Sequence, residues 1–196
     1  METNHPITRR ALVKSSLFGA LAVSIPSISY AKDIFNIPDA NKDLPSHYPS
    51  IDDAIVSEVV GKSHFDFDRV KELVDKRTEL ARASWDWSFG DWESAIGAAS
   101  HVGRRDIVNY LISKGARPTM FTFATLGAFD VVKAMIEASP GIQKTMGPHG
   151  ISLLSHAKSG LRMKDEMTYE QILNSEKLID YLGGLGNADG ETYMKL

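Results

Sequence analysis

The 196-residue sequence contains no cysteine, which excludes disulfides, thiolate metal ligands and a cysteine nucleophile. Its longest apolar stretch, Leu17 to Ile25, is well short of the roughly 20 residues that a membrane-spanning helix needs. No basic block is present: 22 Lys and Arg face 25 Asp and Glu for a net charge of -3, which argues against non-specific binding of a nucleic-acid backbone. The sequence also lacks a G-x-S-x-G elbow, an H-E-x-x-H helix, a G-x-x-x-x-G-K loop and a G-x-G-x-x-G turn after a strand. Gly183-Gly184-Leu185-Gly186 is glycine-rich, but it follows a helical pattern and reads as a helix close. What remains is ordinary for a folded chain: 43% hydrophobic and 24% charged residues, enough for one domain plus a targeting segment.

The first 31 residues are set apart from the rest. Thr8-Arg9-Arg10-Ala11-Leu12-Val13-Lys14 resembles the twin-arginine export motif, an apolar run follows, and Ser29-Tyr30-Ala31 offers the small residues of a cleavage site. The resemblance implies export of an already folded chain to the periplasm, with cleavage after Ala31 and no membrane association afterwards. The mature chain then carries 19 basic and 24 acidic side chains, a net of −5. Residues 32–50, punctuated by Pro38, Pro45 and Pro49, read as a linker. Residues 188–196 read as a tail.

Between these lies a helical pattern. Ser94 to Ala116 reads as two short helices: a small-faced one with Ala95, Ile96, Ala98 and Ala99, a stop at Gly103, then a second with Ile107, Val108, Leu111 and Ile112 on one face. Lys114-Gly115-Ala116 closes it. A helix pair this small cannot bury its apolar face alone, so it calls for similar pairs on either side. These residues resemble the ankyrin repeat, T-P-L-H-x-A-A-x-x-G-x-x-x-I-V-x-x-L-L-x-x-G-A. Ile107-Val108, Leu111-Ile112 and Gly115-Ala116 match the second half well, while Ser94-Ala95-Ile96-Gly97 is a degenerate first half.

Three further registers follow the same template. A first repeat starts where Ser50 or Asp52 can cap a helix from Asp53 to Val60 ended by Gly61, with Val70, Leu73 and Val74 on its second helix. A third has Phe121, Phe123, Ala124 and Leu126, a turn at Gly127, and a face repeated over Asp130 to Ile136. The fourth runs from Gly150 to Ala157, turns at Gly160, carries an insertion from Leu161 to Ser175 and resumes with a helix from Glu176 to Leu182. Gly103 and Gly127 are 24 apart and Gly127 and Gly160 are 33 apart, so one hairpin is trimmed relative to the usual period of ~33. The expected fold is an all-α helical-pair solenoid of about four repeats over residues 51–187, degenerate at both ends.

Departures from the template mark candidate sites. Ala83 to Ser94, the finger joining the first two pairs, holds all three tryptophans. Trp85, Asp86, Trp87, Phe89, Asp91 and Trp92, with His101 and Arg104, are the candidate partner-binding residues, because ankyrin-like proteins use finger tips and first helices and Trp is enriched at hot spots. The same rings could instead lid the first repeat. Trp85 and Trp87, two apart, are expected to share a side, and Trp92 to be the most structural of the three. Arg104-Arg105 read as solvated charge. His149 and His156 sit on different elements with no carboxylate in register, so no metal site, and no cofactor, is expected. The resemblance implies a monomeric, non-enzymatic protein-binding module. The alternative is a small hydrolase or lyase that uses Asp86, Asp91 and Glu93 with His101 as an acid–base set.

Overall fold

A computed structural model describes residues 51–186; the expected signal segment, linker and tail lie outside the described residues. The described chain is predominantly α-helical, with eight α-helices in four successive pairs. These are α1 (Asp53–Lys62) with α2 (Phe67–Lys76), α3 (Ala95–His101) with α4 (Arg105–Ser113), α5 (Met120–Thr125) with α6 (Phe129–Ala138), and α7 (Leu153–Ser159) with α8 (Tyr169–Gly184). The first helices contact one another in chain order, α1 to α3 to α5 to α7. Among the second helices α2 meets α4 and α6 meets α8.

Helices of six or seven residues, such as α3, α5 and α7, are marginal alone and persist because both ends and both flanks are supported. Asp52, Asp66, Ser94, Thr119, Ser152 and Thr168 each accept a bond from a first-turn backbone N–H. The helices α4 and α6 have no such cap, since Arg104 and Ala128 at their N-caps offer no side-chain acceptor; the chain enters through Gly103 and Gly127 with positive φ. A Cβ at Gly103 would meet the Ser159 carbonyl oxygen at 2.0 Å, so these turns need glycine for space as well as conformation.

The buried apolar residues form two clusters. One joins Val59, Val70, Leu80, Ile96, Ile107 and Leu111, the other Ala124, Val132, Leu153, Leu178 and Leu182. Between them runs a polar seam: Thr125 Oγ1 donates to the Ser100 carbonyl at 2.8 Å and Ser159 Oγ donates to the same carbonyl at 3.1 Å.

Several expected boundaries shift. Helix α1 does not end at Gly61 but continues to Lys62. In α5 the buried positions are Met120, Thr122, Ala124 and Thr125, leaving Phe121 and Phe123 half-buried. Val131 is exposed while Val132 and Ile136 are buried, so α6 shows a narrower face than its sequence suggests. Gly160 has φ −58 and is no left-handed turn; its Cβ would stand 2.0 Å from the Thr125 carbonyl oxygen, so close approach explains it. The last helix starts at Tyr169, well before Glu176, because Thr168 and Gln171 form a capping box.

Candidate functional site

The finger is a short antiparallel hairpin, β1 (Ser84–Asp86) and β2 (Trp92–Ser94), with Trp85 opposite Glu93 and Asp86 opposite Trp92. Its tip is held by Asp86, whose Oδ1 accepts from the backbone N–H of Ser88 at 3.0 Å and of Gly90 at 3.1 Å. That hold keeps Phe89 at φ 56, a left-handed conformation unusual for a large side chain, and leaves its ring fully exposed. Trp85 packs on the first apolar cluster. Trp87 turns inward and donates from Nε1 to Glu93 Oε2 at 2.7 Å. Trp85 and Trp87 therefore both serve the inner side. Trp92 is the opposite of its expected role: at 64% exposure, against 38% for Trp87, it is an outward-facing ring. The strand alternation that sends Glu93 inward sends its neighbour Trp92 outward.

Beneath the finger, four segments deliver side chains to one point. His64 comes from the turn between α1 and α2, Glu93 from β2, His101 from the last turn of α3, and His149 from the turn before α7. One nitrogen or oxygen from each lies within 4.8 Å of all the others. His101 Nε2 is 3.0 Å from Glu93 Oε1 and 3.0 Å from His64 Nε2. His64 Nε2 is 3.5 Å and His149 Nε2 3.4 Å from Glu93 Oε2. The outer nitrogens are fixed from behind: His64 Nδ1 is 2.9 Å from the Gly61 carbonyl, and His149 Nδ1 is 2.6 Å from Asp91 Oδ2. Asp91 Oδ1 also accepts from the His149 backbone N–H at 2.9 Å, which steadies that residue at φ 58.

Glu93 is wholly buried, and its Oε1 has no hydrogen-bond partner despite the nearness of His101. Burial works to raise its carboxyl, but the facing imidazoles and the Trp87 N–H outweigh it and hold the group below its usual value. Asp91 is lowered as well, chiefly by the His149 backbone N–H. Both carboxylates are thus ionised at neutral pH.

Beyond Glu93 the cluster borders a cavity of about 450 Å³ lined by Trp92, Gly97, Thr119, Phe121, Pro148 and His156. His156 is fully buried, with Nδ1 on the Ser152 carbonyl at 2.8 Å and Nε2 unpartnered. Burial pulls its imidazole down to about 4, so it is neutral.

The structure brings Trp87, Asp91 and His101 of the candidate residues into this cluster. Asp86, Phe89 and Trp92 stay on the finger's outside, and Trp85 belongs to the core. Arg104 lies apart; it pairs with Asp106 at 2.6 Å and donates to the Phe65 carbonyl, tying α4 to the turn that carries His64. Arg105 is not solvated charge. It is buried and donates to the Thr125 and Leu126 carbonyls at 2.7 and 3.1 Å, closing the C-terminus of α5. Sequence patterns do not mark His64 at all, nor Glu93 as a neighbour of His149; Glu93 stands with His101 there only in the acid–base alternative. The carboxylates absent from His149's own register come from Asp91, 58 positions earlier, and from Glu93 beside it.

No family model, curated protein or solved structure matches this chain.

Proposed function

We propose that the mature chain is an ankyrin-type array of four helix pairs and a non-enzymatic module that binds another protein through the finger and the first helices. The repeat reading draws support from the recurring helix–glycine–helix registers around Gly103 and Gly127 and from the contacts of the first helices in chain order. The twin-arginine resemblance adds export to the periplasm, where the module acts as a monomer.

One observation carries the binding reading: the finger presents Phe89 and Trp92 to solvent from a hairpin that is anchored from below. Exposed aromatics on a fixed support gain contact area while losing little conformational freedom on binding. Asp86 is engaged with its own tip and Asp91 with His149, which favours this reading over those two acids acting as an acid–base pair on a small substrate. The test is capture from a periplasmic extract by the wild-type protein and by Phe89→Ala with Trp92→Ala. The double variant should keep its melting temperature and lose the captured protein. Undiminished capture would overturn the assignment of the finger as the contact surface.

A further inference from the structure

We propose that His64, Glu93, His101 and His149 bind a single divalent first-row transition-metal ion, with zinc the best match. The inference goes beyond the protein-binding reading and does not depend on it.

Proton counting makes the case. His64 Nδ1 faces the Gly61 carbonyl oxygen at 2.9 Å and His149 Nδ1 faces Asp91 Oδ2 at 2.6 Å, both hydrogen-bond acceptors, so both nitrogens carry the proton. With the proton on Nδ1, both Nε2 atoms turn lone pairs towards the centre. Glu93 adds two oxygens, making four inward acceptors. Only the Trp87 N–H and, at most, one N–H of His101 are there to serve them. Buried Oε1 of Glu93 is left with none. An N–H on each of the facing His64 and His101 Nε2 atoms would set two donors against each other at 3.0 Å. A cation at the centre satisfies every acceptor at once.

The dimensions agree. A tetrahedral ion with bonds of about 2.0–2.1 Å has ligand-to-ligand edges of about 3.3–3.4 Å. Four approaches here are 3.0, 3.0, 3.4 and 3.5 Å, one to Glu93 Oε1 and two to Oε2, and the whole ligand set lies within 4.8 Å, so the side chains need to close in only modestly around an ion. Three imidazoles and one carboxylate suit zinc and its first-row neighbours and not calcium or magnesium, which take oxygen ligands. The Asp91–His149 and Gly61–His64 contacts are the outer-shell supports that fix the tautomer and aim of metal-bound histidines. Charge balances too, since two positive charges face Glu93 and Asp91. Access is from the side of His149, whose side chain is 33% exposed while that of Glu93 is 0%. The ion would join the α1–α2 turn, the finger, α3 and the turn before α7.

The test uses the full chain without a histidine tag, stripped with chelator and titrated with zinc chloride. Calorimetry and elemental analysis should report one zinc per chain, and cobalt(II) in its place should give visible d–d absorption. Glu93→Gln and His149→Ala should each weaken binding by about a hundredfold or more, and Asp91→Asn by about ten- to a hundredfold. His149 is partly exposed, so its variant keeps the test valid if replacing buried Glu93 impairs folding. Absence of stoichiometric zinc on the folded wild-type chain overturns the proposal, and so does zinc held equally by wild type and His149→Ala.

Discussion

Replacing Arg105 by methionine should weaken the fold, although it removes a buried charge. Arg105 is 7% exposed, and no carboxylate pairs with it among the described residues. Burial alone pulls its guanidinium below its ordinary value. A buried cation of this kind is costly, and its replacement by an apolar side chain can be neutral or even stabilising. Two things oppose that here. The acceptors are the last carbonyls of α5, which have no partner within their own helix and sit at the negative end of its dipole. The guanidinium reaches both at once, and hydrogen bonds to a charged donor are worth about 1.5–3 kcal/mol each. Part of this sum is offset by releasing the charge, leaving a net loss of about 2–4 kcal/mol. With a urea slope of about 1–3 kcal/mol/M, the unfolding midpoint should fall by roughly 1–2 M at unchanged slope. Arg105→Lys keeps the charge but not the planar fork and should lie between. A midpoint for Arg105→Met equal to or above wild type would refute the reasoning and mark the charge as a net cost.

Leu111 is fully buried in the first cluster, so Leu111→Ala should cost about 2–5 kcal/mol and lower a single melting transition without unfolding one end alone. His156 gives a pH dependence: its folded value of about 4 lies below the unfolded ~6.5, so the unfolded chain binds more protons between them. Its contribution is complete above pH ~6.5 and is lost as pH falls towards 4, by about 1.4 kcal/mol per unit. In chelator, His156→Gln should flatten the stability profile across that window, and an identical slope would show the imidazole to be no drain on the fold. Export is checked by Arg9→Lys with Arg10→Lys, which should leave folded, uncleaved protein in the cytoplasm; periplasmic protein cut after Ala31 would contradict it.

Local rules were enough to read the helices. Ile107, Val108 and Leu111 announce one face, and Gly103 and Gly127 announce the turns, because periodicity and positive φ are written over a few neighbouring residues. The helix start at Thr168 is legible too, since Thr-x-x-Gln is a capping pattern, but it lies inside the stretch that the repeat template reads as an insertion. Arg105 could not be read, because nothing near it in sequence marks the α5 carbonyls it reaches 20 residues later. The histidine cluster is illegible for the same reason. Its members stand at 64, 93, 101 and 149, spacings set by which turns the packing brings together. Only the pairing of Glu93 with His101, across the entry to α3, hinted at it. The trio of tryptophans points to the right finger and to a shared side for Trp85 and Trp87, but not to the outward Trp92, since alternation decides that Glu93 is buried and Trp92 is not.

The convergence of His64, Glu93, His101 and His149 is the feature on which the account turns, and element-specific diffraction addresses it most directly. Crystals of the full chain grown with zinc chloride, measured on either side of the zinc absorption edge, should show one anomalous peak among these four side chains, about 2.0–2.1 Å from each ligating nitrogen or oxygen. A fully ordered cluster with no peak at its centre, the imidazoles bonded to water or to one another, would contradict it.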